Sequence, residues 1–161
     1  MIIKIRYFLI GILLLLIGTI IYLIDRPPDQ TYFLFALPFE FSLYGIYPPL
    51  FGPLSNFLPH FFHVTAFIFL TAGLLDCEKK GYLTICLFWL IVNAGFELGQ
   101  KYGVQAASWV PYWFDGVFLL ENTRNYFLLG TYCHLDMAAL ITGAVSAYIF
   151  LIHNHNRRRT V

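Results

Sequence analysis

The residues able to do chemistry in this 161-residue chain fall into three short groups. His60 and His63 stand three apart. Asn93, Glu97 and Gln100 follow at i, i+4 and i+7, which on a helix confines them to an arc of about 60°. His134 and Asp136 make the third group. Imidazoles beside carboxylates can exchange protons, bind a polar ligand or hold a metal. Glu97 carries the most weight, because a carboxylate within an apolar run must either be neutral or meet a cation. His60, His63, Lys101 and Arg124 are the candidate partners. The alternative reading makes the whole group a hydrogen-bonded lock between helices.

The spacing excludes several chemistries. No GxSxG, P-loop or GxGxxG is present, so covalent and nucleotide chemistry lack a motif, and no catalytic residue is assigned. HExxH is absent too. Zinc is therefore the less favoured occupant, resting on ligand type alone, and no cofactor is predicted. Cys77, Cys86 and Cys133 are an odd number without CxxC spacing, which indicates neither a disulfide framework nor a zinc knuckle.

The elements that must position these groups are apolar. Of the chain, 59% is hydrophobic and 12% charged, against about 25% charged in a typical soluble domain. Four runs approach the roughly 17–25 residues that cross a bilayer. They cover about 7–24, 58–75, 82–100 and 136–152 of a single integral membrane domain. The first follows Lys4 and Arg6 as a signal peptide would. It is longer than a signal core, lacks a cleavage site before Asp25, and is read as a retained helix ended by Pro27 and Pro28. Between the runs lie 30–57, broken by four prolines, and 101–135, with Trp109, Tyr112 and Trp113. Both are read as long aromatic loops at the membrane surface, with the tryptophans as interfacial anchors.

Basic residues set the orientation. With the N-terminus inside, Lys4, Arg6, Lys79, Lys80 and Arg157 to Arg159 are cytoplasmic, and Arg26, Lys101 and Arg124 external: seven against three. The expectation is an all-α bundle of about four transmembrane helices, with both termini cytoplasmic and every polar group above at the outer face. The arginine run is too short to argue for nucleic acid and suits anionic lipid, as do His153 and His155 beside it. Gly95, Gly99 and Gly103, and Ala139, Gly143 and Ala147, repeat every four residues. Such stripes pack helices within a chain or join chains in a homo-oligomer.

Three stretches resemble the VanZ-like family of small multipass membrane proteins. Leu58-Pro59-His60-Phe61-Phe62-His63 is similar to its histidine-bearing helix opening, and Asn93-Ala94-Gly95-Phe96-Glu97-Leu98-Gly99-Gln100 to its Glu-x-x-Gln helix end. Gly130 to Met137, with Gly143-Ala144, resembles its closing element, in which an Asp opens the last helix. The match covers roughly 58–150 and transfers to His63, Glu97, Gln100, Asp136 and Gly143. The chain departs from the pattern in having no arginine just after Gln100, where Lys101 or Arg124 would substitute. It also has Cys133-His134 where an acidic residue is often found. The resemblance implies a bacterial plasma-membrane protein of the cell envelope, associated in some members with resistance to lipid-bearing glycopeptide antibiotics, and no established reaction. The combined expectation is a site for an amphipathic or lipid-linked ligand, lined by His60, His63, Asn93, Glu97, Gln100, His134 and Asp136. Two alternatives are a membrane-embedded enzyme acting on such a lipid by acid/base or metal-assisted chemistry, and a structural or assembly subunit.

Overall fold

The computed structural model describes residues 4–28, 42–75, 77–117 and 120–159, the side chains of 157–159 excepted. Among these residues there are six α-helices and no strand. They are α1 (Ile5–Asp25), α2 (Leu58–Leu74), α3 (Lys79–Lys101), α4 (Gly103–Trp109), α5 (Thr123–Leu129) and α6 (His134–Arg159). Three of them, α1, α3 and α6, are long and apolar enough to cross a membrane, and α2 is apolar but shorter, at 17 residues. The apolar helices mark the chain as an integral membrane protein.

Helix α1 runs antiparallel to α2, and glycines set how closely. A Cβ at Gly73 would lie 2.6 Å from the Phe8 backbone nitrogen, and one at Gly11 2.8 Å from that of Leu70. The Lys4 amide donates to the Gly73 carbonyl at 2.8 Å, fixing one end of the pair. At the other end Asp25 accepts from the amides of Leu50 and Phe51 at 2.8 and 2.7 Å. Helix α6 lies on α2 and α3. There Gly143 admits Val64 and the Phe61 carbonyl, while Ala139 and Ala147 are buried. The core between the helices is built on Val64, Ile68, Tyr82, Leu140 and Leu151. Leu9, Leu13, Leu16 and Ile20 of α1, and Ile141, Val145 and Ile149 of α6, stay exposed at helical spacing. An apolar stripe outside a packed core is a surface that lipid solvates.

Several boundaries differ from the sequence reading. Helix α3 begins at Lys79, three residues early, because long lysine side chains at a helix end can carry their charges away from the apolar run into water. Helix α6 continues to Arg159, so the basic tail is helical. The His155 ring packs edge-on against Tyr82 at 6.0 Å, an intrachain contact that the membrane-surface reading of this residue did not foresee. The segment read as a loop at 101–135 contains α4, a 3-10 turn at Tyr112–Phe114, and α5. Pro111 and the positive-φ Gly116 (81°) limit these to short helices. Gly99 and Gly103 serve this packing, since Phe127 of α5 lies where their Cβ atoms would be, whereas Gly95 faces open space. Of the first aromatic loop, 29–41 lie outside the described residues; the remainder exposes Tyr44 and Tyr47 and ends in a 3-10 turn at Gly52–Asn56.

Candidate functional site

Three helices each deliver one ionisable side chain to the same point. His60 sits in the first turn of α2, where Pro59 satisfies the N-terminal geometry without needing a hydrogen bond. Asp136 sits in the first turn of α6, where the helix dipole favours a negative charge. Glu97 comes from the last two turns of α3. The two ring nitrogens of His60 face the two carboxylates: Nδ1 lies 3.3 Å from Glu97 Oε1, and Nε2 lies 3.7 Å from Asp136 Oδ2. Glu97 is 1% exposed and Asp136 8%. A neutral imidazole can donate from only one nitrogen. A ring between two carboxylates is thus placed to hold a proton or pass one across.

Short helix α5 adds a residue that sequence reasoning missed. The Tyr126 hydroxyl donates to Glu97 Oε1 at 3.3 Å and also hydrogen-bonds Gln100. Burial, followed by the neighbouring Glu97 charge, holds the Tyr126 pKa well above the ordinary phenol value, so it remains a donor. Glu97 Oε2 is buried without a hydrogen-bond partner among the described residues. Such an atom bears a desolvation cost that nothing among the described residues offsets.

The cation at this site is Arg26, at the C-terminal end of α1. Its Nε donates to the Ser55 carbonyl at 3.3 Å, and Nη2 donates to the Asn56 carbonyl. Its guanidinium lies over the Tyr22 ring, 4.7 Å from the centroid. Tyr22 in turn stacks on His63 at 5.6 Å, and a Cβ at Gly18 would meet that imidazole at 3.1 Å. His63 thus belongs to an aromatic column, while His60 belongs to the carboxylates, although both line the same space.

That space is a cavity of about 920 Å³. Arg26, His60, His63, Glu97, Gln100 and Asp136 line it, with Asn93, Tyr126 and Cys133. Of the seven residues expected at the site, six reach this cavity. Asn93 donates its amide nitrogen to the Trp89 carbonyl one turn back in α3, at 2.8 Å. His134 is the exception. It is exposed, and its Nδ1 pairs with the Tyr132 hydroxyl at 3.1 Å, because it lies two residues before Asp136 and so on a different side of α6. Neither cation expected near Glu97 lies in this cavity: Arg124 stacks over Tyr112 and donates to the Val110 carbonyl, and Lys101 lies over the Tyr132 ring.

A second cavity, about 660 Å³ and mostly apolar, adjoins the first. It lies between α3, α4 and α5, and shares Phe96 and Thr123 with the polar one. Trp109 borders it, and Trp113 does not. No family model, curated protein or solved structure matches the chain.

Proposed function

We propose that the chain is a VanZ-like cell-envelope protein that binds the polar head of an amphipathic or lipid-linked ligand. In this reading α1, α2, α3 and α6 cross a bacterial plasma membrane as a four-helix bundle with both termini cytoplasmic. The cavity then opens at the outer face. One observation carries the proposal: His60, Glu97 and Asp136 arrive from three helices at one cavity, with an arginine on its wall. Intramembrane ionisable groups are costly and mark function by default. The arginine suits an anionic head, and the adjoining apolar cavity suits the hydrocarbon beyond it.

A second reading is favoured by the imidazole between two carboxylates: an enzyme that moves a proton on the bound head. Glu97 or Asp136 would exchange the proton with His60, and Tyr126 would hold Glu97 in place. Glu97→Gln separates both readings from a purely structural role, because the amide keeps the shape and loses the charge. The expected result is unchanged thermal stability in detergent with the cellular readout, tolerance to a lipoglycopeptide, reduced on the order of 10²-fold. Full tolerance in both Glu97→Gln and Asp136→Asn would leave only a structural or assembly subunit.

A further inference from the structure

We infer that His60, Glu97 and Asp136 together hold one divalent transition-metal ion, with zinc the best match. Each residue offers one ligand atom, and the three atoms lie within 4.8 Å of one another. One imidazole nitrogen and two carboxylate oxygens are a donor set that zinc accepts, at distances near 2.0–2.2 Å. Around a tetrahedral ion the donors stand roughly 3.4 Å apart, a closure that carboxylate rotation supplies.

An independent observation points to a ligand here. Glu97 is almost fully buried, yet its Oε2 has no partner among the described residues. The donors nearby are committed. Tyr126 turns its hydroxyl to Oε1, and Arg26 is engaged by the carbonyls of Ser55 and Asn56. Two carboxylates compete for one imidazole, and a divalent ion satisfies both at once. It removes the net negative charge that the pair places in a buried site.

The surroundings have the form of an open metal site. Three protein ligands leave one tetrahedral position, and that position faces the polar cavity. Tyr126, bonded to a ligand carboxylate, occupies the outer-shell place that orients a ligand and tunes affinity. His134 and His63 stand outside the set: one pairs with Tyr132, the other stacks on Tyr22.

The inference does not depend on the lipid-linked ligand, because it is read by metal alone. The full chain, purified in detergent and stripped with a chelator, is titrated with zinc chloride by calorimetry, with metal content measured after desalting. One zinc per chain is expected. Binding should weaken at least tenfold in His60→Ala and in Asp136→Asn, and remain at the wild-type level in His134→Ala. Cobalt substituted into the wild-type protein provides an arm that needs no variant. Its spectrum should be that of nitrogen and oxygen ligation, without the thiolate charge-transfer band that Cys133 would add. A wild-type chain that retains no zinc overturns the assignment, as does a thiolate band, or zinc binding equal to wild type in folded His60→Ala and Asp136→Asn. Zinc binding by the wild-type chain, combined with full tolerance in both Glu97→Gln and Asp136→Asn, would sink the ligand reading and leave the metal site standing.

Discussion

The two ends of the helix packing both gather a cation, tyrosines and a histidine, and they use them in opposite ways. At the end holding the N-terminus of α1, the Lys4 amine donates to the Cys77 carbonyl at 3.2 Å and to the Tyr82 hydroxyl at 3.1 Å. Tyr7 and Tyr82 are each 2% exposed and meet edge to face at 6.5 Å, with His155 packed on Tyr82. Neither of the two cavities described above reaches this cluster. At the opposite end Arg26, Tyr22, Tyr126 and His60 border open volume, and a buried carboxylate oxygen lacks a donor among the described residues. Polar groups that only lock helices together exclude space. The second cluster makes hydrogen bonds of its own and still borders a cavity, and this volume separates the two ends.

The contrast can be broken experimentally. The largest effect on folding should come from Gly73→Leu, which drives a side chain into the Phe8 backbone and costs about 1–3 kcal/mol. It should lower the thermal midpoint while the molecules that remain folded keep full tolerance. A folded Gly73→Leu protein as inactive as Glu97→Gln would erase the distinction between the ends.

Tyr126→Phe comes next. It removes the hydroxyl held to Glu97 and should weaken zinc affinity by about 10–100-fold with little change in midpoint. An affinity equal to wild type would detach Tyr126 from the site. The smallest effect belongs to Trp113→Cys in a Cys133→Ala background. Trp113 is 65% exposed, so stability should move by less than about 0.5 kcal/mol. The new thiol should react with a membrane-impermeant reagent applied to intact cells. Protection from that reagent would turn the cavity to the inside and overturn the orientation.

The elements were legible where the signal was local. Apolar runs located the four longer helices to within a few residues at most ends, and the i, i+4, i+7 stripe brought Asn93, Glu97 and Gln100 to one cavity. His60 and Asp136 were legible as sharing a depth with Glu97, because all three lie at helix ends on one side of the membrane; their convergence on one point was not, because it depends on how the helices pack. What stayed hidden depended on partners distant in sequence. Arg26 read as the terminator of a helix, since nothing local shows that α1 returns its end to Ser55 and Asn56. Tyr126 lay in a stretch of loop-like composition, and the packing of Phe127 on Gly99 and Gly103, which makes α5 a helix worth having, is tertiary. His134 misled for the opposite reason. Nearness to Asp136 in sequence is not nearness on a helix surface, where residues two apart diverge by about 200°.

The brevity of α2 has a consequence for the shape of the site. Seventeen residues rise about 26 Å, short of the roughly 30 Å hydrocarbon thickness of an average membrane. Only Leu74 of this helix is exposed, because α1, α3 and α6 pack around it. In the proposed topology the longer helices therefore meet the lipid, and the shortfall of α2 is taken up inside the bundle. His60 lies in the first turn of α2, so the missing length leaves a recess in the protein above it. Changes in bilayer thickness should then act on the longer helices and leave the depth of that recess unaltered.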